Sequence, residues 1–201
     1  MSTGTPTRIE LIRHGETDWN IQGKYQGTAD VPLNTEGRRQ VALLAEAMEG
    51  ETWDAIVSSP LQRAYDTARA VAHAVGLAEI PSDPRLMERA YGEAEGLTLP
   101  EREAKWPGGD WPGLEDWENV SIRAMTALHE LVERRPGQRV LVVCHGGLIN
   151  AVLATISHGE IGTGKTTIIN TSRTTLEFDG AAWRIVAVND TAHLDAALAA
   201  D

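Results

Sequence analysis

The chain has 201 residues, 42% of them hydrophobic and 23% charged, which suits one α/β domain with a real buried core. Its formal net charge of −11 argues against a nucleic-acid partner, because gripping a phosphate backbone needs a basic face; a small anion met by local Arg and His stays open. One cysteine excludes a disulfide framework and a multi-cysteine metal site, and no apolar run suits a signal peptide or a membrane span, so a cytoplasmic protein without membrane association is expected.

Residues 1–7 are small and polar and read as a disordered N-terminus, 8–190 as a single domain and 191–201 as a tail. Ile9, Leu11 and Ile12 predict a buried strand over about 8–13 that stops at Arg13-His14-Gly15. Ligands of open α/β sheets sit at the carboxyl ends of strands, so His14 is expected at a crevice; the alternative is a polar turn. Glu16 to Asn34 is longer than a plain βα connection needs, which predicts a functional loop. Val41, Leu44, Ala45 and Met48 form the apolar stripe of a helix over 35–49, stopped by Gly50.

Ala55-Ile56-Val57 is a short buried strand. Ser58-Ser59-Pro60 reads as a helix start with proline in the first turn, and Leu61, Ala64, Ala68, Val71 and Val75 as that helix's inner face. Arg63 then falls in the first turn, where a cation is disfavoured unless an anion sits before it. A surface arginine paired with a carboxylate is the alternative. Residues 79–96 look irregular, and no periodicity explains Glu88. Trp106, Trp111 and Trp117 cluster within 97–118 as local core or as a pocket wall.

A helix over 114–134 turns Trp117, Val120, Ala124, Leu128 and Leu131 inward and ends at Pro136-Gly137. The strand 139–144 also ends in a His-Gly pair, His145-Gly146, and a helix over 148–157 follows. Two strand-like runs, Arg173 to Phe178 and Trp183 to Val188, flank the turn Asp179-Gly180, and 192–201 reads as a loose helix. The alternation predicts a three-layer α/β/α sandwich with a mostly parallel sheet and a C-terminal antiparallel hairpin.

The polar groups expected at the strand ends are Arg13, His14, Asn20, Arg63, Glu88 and His145. Two guanidinium groups match a phosphate by bidentate donation. A neutral imidazole is a nucleophile if its other nitrogen holds the proton, and an isolated Glu can donate and accept a proton. No residues show metal-ligand spacing. The set suggests phosphoryl transfer through a phosphohistidine, with no metal or other cofactor.

The stretch Leu11-Ile12-Arg13-His14-Gly15-Glu16-Thr17, followed by Trp19-Asn20, resembles the signature of the histidine phosphatase superfamily, the phosphoglycerate-mutase-like proteins. Ser58 to Ala64, Leu86-Met87-Glu88 with Gly92 and Glu95-Gly96-Leu97, and Val143 to Gly147 are similar to its further motifs, in family order. The resemblance implies that His14 attacks phosphorus, that Arg13, Arg63 and His145 hold the phosphoryl oxygens, and that Asn20 and the Gly146 amide add donors. Glu88 would protonate the leaving oxygen and then activate water.

Gln26-Gly27 stands where mutases of the family carry Thr-Gly, and 97–118 is shorter and more acidic than the mutase insertion, so the resemblance points to the phosphatase branch. Ala94 departs from the bulky aromatic common there. Substrate choice is expected in 97–118, Lys24, Tyr25 and Arg89. A small phosphate ester is the expected partner; a homodimer stays open, as do a cofactor-dependent phosphoglycerate mutase and a non-catalytic phosphate-ester binder.

Two other patterns compete. Gly159 to Thr166 fits G-x-x-x-x-G-K-[ST] letter for letter, but a helix precedes it and β-structure follows, the reverse of a P-loop's setting. Cys144 would need an arginine six positions on to serve as a phosphatase nucleophile, and Asn150 stands there; packing as a small strand residue is expected. His73, His129, His158 and His193 are expected at exposed positions.

Overall fold

The computed structural model describes residues 4–198 and holds a five-stranded sheet in the order β2-β3-β1-β4-β5. The strands are β1 (Thr7–Arg13), β2 (Ala55–Ser58), β3 (Arg139–Cys144), β4 (Arg173–Phe178) and β5 (Trp183–Asp190). β2, β3 and β1 run parallel, and β4 and β5 are antiparallel additions. The three parallel strands are buried along almost their whole length because both faces are covered. On one face Ile12, Ile56 and Val143 meet α2 (Thr35–Ala47) and α3 (Gln62–Ala74). On the other, Leu11, Val140 and Val142 meet α5 (Trp117–Arg134) and α6 (Gly146–Ile156). The three-layer expectation and the Asp179-Gly180 hairpin are both realised.

Two short helices lie in stretches where the sequence pattern predicts none, the loop Glu16 to Asn34 and the Trp-bearing 97–118. α1 (Asp18–Ile21) is closed by a capping box between Thr17 and Asn20, and α4 (Leu99–Lys105) by one between Thr98 and Glu101. Both satisfy the free amides of the first turn locally, which lets a single turn or two persist without an apolar stripe. The C-terminal α7 (Ala192–Leu198) lies against α2.

Some boundaries move. Thr7, expected in the disordered N-terminus, is buried and begins β1, because its hydroxyl bonds Arg135 O and the Gly137 amide. Residues 1–3 and 199–201 lie outside the described residues. Pro60 stands before α3, whose N-cap is Leu61; with no capping side chain of its own, the helix borrows Asp30, whose Oδ1 accepts from Gln62 N at 2.7 Å. α6 starts at Gly146, two residues early, directly behind His145. His193 is buried, not exposed, and its Nε2 lies 3.0 Å from Thr171 Oγ1.

The turn after β1 is pressed against the start of α2. A Cβ on Gly15 would lie 2.7 Å from Gly37 O, and one on Gly37 would lie 2.0 Å from Glu16 O. Helix propensity alone would make Gly37→Ala stabilising by roughly 1 kcal/mol. The contact reverses the sign: Gly37→Ala is expected to destabilise by about 1–3 kcal/mol, as overpacking does. Urea unfolding reads this, and an unchanged or raised midpoint would contradict it.

Candidate active site

Three strand ends converge. Arg13 pairs with Cys144 across β1 and β3, and Ser58 with Val143 across β2 and β3. One residue further on, His14 N donates to Cys144 O at 3.1 Å and Ser59 N to Val143 O at 2.9 Å. The two histidines therefore emerge side by side, their ring centroids 5.2 Å apart. α3 follows β2 at once and carries Arg63 to the same place.

His14 is buried, and its Nδ1 lies 2.6 Å from Gly15 O. A carbonyl only accepts, so Nδ1 carries the proton and Nε2 keeps its lone pair. Arg63 Nε donates to that Nε2 at 3.3 Å, consistent with the same tautomer. Burial, then the positive charges of Arg63 and Arg13, hold the His14 pKa well below the ordinary imidazole value of 6.5. The result is a neutral imidazole with its basic nitrogen facing a cation.

Arg63 is the largest fully buried side chain. Its Nη1 and Nη2 donate to Ala29 O (2.8 Å) and Gly27 O (2.9 Å), and burial lowers its pKa to about 10. The surface-arginine alternative is thereby excluded. Arg13 donates to Ile168 O, while its buried Nε has no partner among the described residues. His145 is N-cap of α6; Ser59 Oγ lies 2.8 Å from its Nε2, and its buried Nδ1 has no partner among the described residues. Burial, then Arg63 and His14, keep its pKa well below 6.5 too.

Glu88 approaches from the irregular segment. Its carboxylate accepts from Gly147 N (2.9 Å) and Leu148 N (3.1 Å) in the first turn of α6, and from its neighbour Arg89 N (2.8 Å). The helix N-terminus supplies donors and a favourable dipole for a carboxylate. Gly147 permits the approach, since a Cβ there would lie 2.5 Å from Glu88 Oε1.

Arg13, His14, Arg63 and Glu88 line a cavity of about 140 Å3 together with Asn20, Lys24, Tyr25, Gln26, Gly27 and Tyr91, while His145 is buried beside His14. Larger hollows, such as one of about 460 Å3 between α2 and α3, do not gather them. Asn20 Oδ1 accepts from Thr17 N and lies 3.4 Å from Asn170 Nδ2, which frees the Asn20 amide nitrogen to donate. Gln26 Oε1 accepts from Thr17 Oγ1. Gly27 has φ +54, and a Cβ on it would meet Glu95 Oε1 at 2.0 Å. Gly146 packs closely on Arg13, whose Nε would lie 3.3 Å from an added Cβ.

Arg89 does not line the cavity. Its Nε donates to Glu115 O at 2.6 Å and its guanidinium lies over Trp117, 4.2 Å from the ring centroid, so its charge is engaged outside. Trp111 stands behind the wall formed by Tyr25 and Tyr91, with Nε1 donating to Tyr91 O at 2.6 Å. It packs rather than lines. The Gly159–Thr166 stretch closes on itself, Lys165 Nζ donating to Gly159 O, and it follows α6 rather than a strand. Cys144 is fully buried, and burial raises its thiol pKa.

Several further groups support these residues, and of them only Glu95 lies in a motif. Thr67 Oγ1 accepts from Gly15 N, and Asn170 Nδ2 donates to His14 O at 2.9 Å. Thr171, with φ 59, donates its amide to Arg13 O. Glu95 Oε1 accepts from Thr28 N and Tyr91 N, tying two walls together. Arg123 holds the segment that bears Glu88. Apart from the amide of Thr171, each is a side chain that bonds backbone, a relation that spacing does not encode.

Among the described residues no group of three or more His, Cys, Asp or Glu is arranged to hold a metal ion, and no helix is long and apolar enough to cross a membrane. A cavity with a neutral imidazole, two guanidinium groups and a carboxylate can bind a phosphoryl group and exchange protons around it.

Comparison with known proteins agrees. Residues 9–191 match the model of the histidine phosphatase superfamily, branch 1. An uncharacterized phosphatase, PhoE, of Bacillus subtilis is 39% identical over 188 residues, 94% of this chain and 97% of that protein. A metal-independent phosphoserine phosphatase of Arabidopsis thaliana is 33% identical over 94% of this chain and 83% of its own length. Aligned relatives also include probable phosphoglycerate mutases. Among solved structures, a mycobacterial glucosyl-3-phosphoglycerate phosphatase in complex with VO3 superposes with a TM-score of 0.80 at 32% identity, over 90% of this chain and 98% of that one. With its motifs gathered at one crevice and its family match spanning nearly the whole length, the chain belongs to the histidine phosphatase superfamily.

Proposed function

We propose that the protein is a phosphomonoesterase that hydrolyses a small phosphate ester, without a metal, through a phosphohistidine on His14. The observation that carries this is the His14 tautomer: Nδ1 is tied to Gly15 O, leaving Nε2 as a lone pair at the cavity. Attack forms the N–P bond in line as the P–O ester bond breaks. The phosphoryl oxygens take over the Nε–H of Arg63 that now faces Nε2, and Arg13, His145, Asn20 and the Gly146 amide supply further donors. Glu88 gives its proton to the departing alkoxide. Its carboxylate then takes a proton from water, whose oxygen displaces His14 and releases inorganic phosphate. Catalysis of this kind rests on positioning and charge stabilisation.

Phosphatase-named relatives that cover nearly the whole chain support hydrolysis. The small cavity supports a small ester; phosphoserine and phosphoglycerate-type esters, which appear in the names of relatives, are the first to try. Lys24, Tyr25, Gln26, Gly27 and Tyr91 stand where a leaving group would lie.

Release of inorganic phosphate from such a panel, with chelator present, tests the reading. Wild type should turn over, and His14→Ala should lose at least about 10³-fold, as nucleophile removal does. Unimpaired turnover in His14→Ala would sink the phosphohistidine. Conversion of 3-phosphoglycerate to 2-phosphoglycerate without phosphate release would select the mutase, and binding without turnover the non-catalytic binder.

Acid should act in two ways. Because His14 stays neutral in the folded protein well below 6.5, kcat/KM should hold level as pH falls through 6.5 and decline only further down. Stability behaves differently. Below 6.5 the unfolded chain takes up protons that His14 and His145 refuse when folded, so stability should fall as pH drops through that value. An acid limb of kcat/KM at or above 6.5, or stability flat from pH 7 to 5, would contradict these environments.

A further inference from the structure

Glu88 is gripped at two points. Its carboxylate is anchored on the first turn of α6, but its backbone lies in a stretch without helix or strand and has no ladder to define it. One side chain takes that task. Arg123, on the inward side of α5, donates Nη1 to Arg85 O (2.7 Å) and Met87 O (2.6 Å), and Nη2 to Glu88 O (3.0 Å). Its Nε and Nη2 also bond both carboxylate oxygens of Glu115, at 2.8 and 3.0 Å. Glu115 closes the ring, for its Oε2 accepts from Ala90 N (3.0 Å) and its amide donates to Ala90 O (2.9 Å). The planar fork of an arginine can serve three carbonyls and a carboxylate together, which a lysine cannot.

We propose that Arg123 and Glu115 are positioning residues that set the reach of Glu88 toward the leaving oxygen, an inference that rests on the function proposed above. An ion pair that only held the fold would affect every substrate alike. A pair that aims the proton donor affects only those esters whose departure needs a proton. The parameter to read is kcat/KM, which reports steps up to loss of the leaving group and is blind to later hydrolysis of the phosphohistidine.

The test compares phosphoserine, whose alkoxide must be protonated, with p-nitrophenyl phosphate, whose nitrophenolate leaves unaided. Arg123→Gln should lower kcat/KM for phosphoserine by about 30-fold and for p-nitrophenyl phosphate by no more than about 3-fold, the scale of a misplaced general acid. Arg123→Lys should fall between wild type and Arg123→Gln. Should Arg123→Gln fail to fold, Glu115→Gln is read on the same pair of esters and should show the same split at smaller size. Equal losses on both esters would make the pair merely structural and overturn the proposal. Glu88→Gln serves as reference: a split there with none in the Arg123 and Glu115 variants refutes positioning alone. Equal losses in Glu88→Gln would refute the role of Glu88 itself, and the proposal with it.

Discussion

The pairing of Arg13 with Cys144 across two parallel strands sets the place of nearly every group in the cavity. Parallel neighbours end on the same side of the sheet, so residues one step past their ends are neighbours too. That brings His14 beside His145, and the β2 partner on the other side of β3 brings Ser59 and then α3 with Arg63. A one-residue slip would turn each buried strand over and carry its apolar residues to the wrong layer. The core on both faces thus enforces the register on which the crevice depends.

Charge in the cavity is arranged so that it stays available. Arg63 and Arg13 are held by backbone carbonyls, of Ala29, Gly27 and Ile168, rather than by carboxylates. A carbonyl orients a guanidinium and partly offsets its desolvation without cancelling its charge. Positive potential therefore persists inside a chain of net charge −11, and burial, reinforced by these cations, keeps the two imidazoles neutral. An anion entering such a site relieves the repulsion among the cations, which favours a phosphoryl group with spreading negative charge more than a neutral ligand.

Irregular segments supply the remaining walls, and side chains from far away fix them. Glu95 ties Thr28 to Tyr91, Asn170 braces His14, and Arg123 with Glu115 surrounds Glu88. Thr171, in left-handed backbone, presses its amide on Arg13 O and meets His193 of α7, so the last helix also bears on the first strand end. Loops carrying chemistry need such bonds, because backbone outside helices and sheets otherwise lacks partners when buried.

The sequence by itself determined the layers, the strand ends and the identity of the central polar groups. Buried strands, amphipathic helices and residues at strand termini are local patterns, readable from period and motif. The short helices α1 and α4 were not legible in this way, because each is closed by a capping box and carries no apolar stripe to give a period. Only the tertiary structure decided that Arg89 turns outward to Trp117, that His193 is buried, that Gly159 to Thr166 folds back on itself, and that Arg123 holds the Glu88 segment. Those are contacts between residues distant in sequence. They are set by which long side chain finds an unsatisfied backbone group once the core has closed, and neither the spacing nor the periodicity of a chain records that.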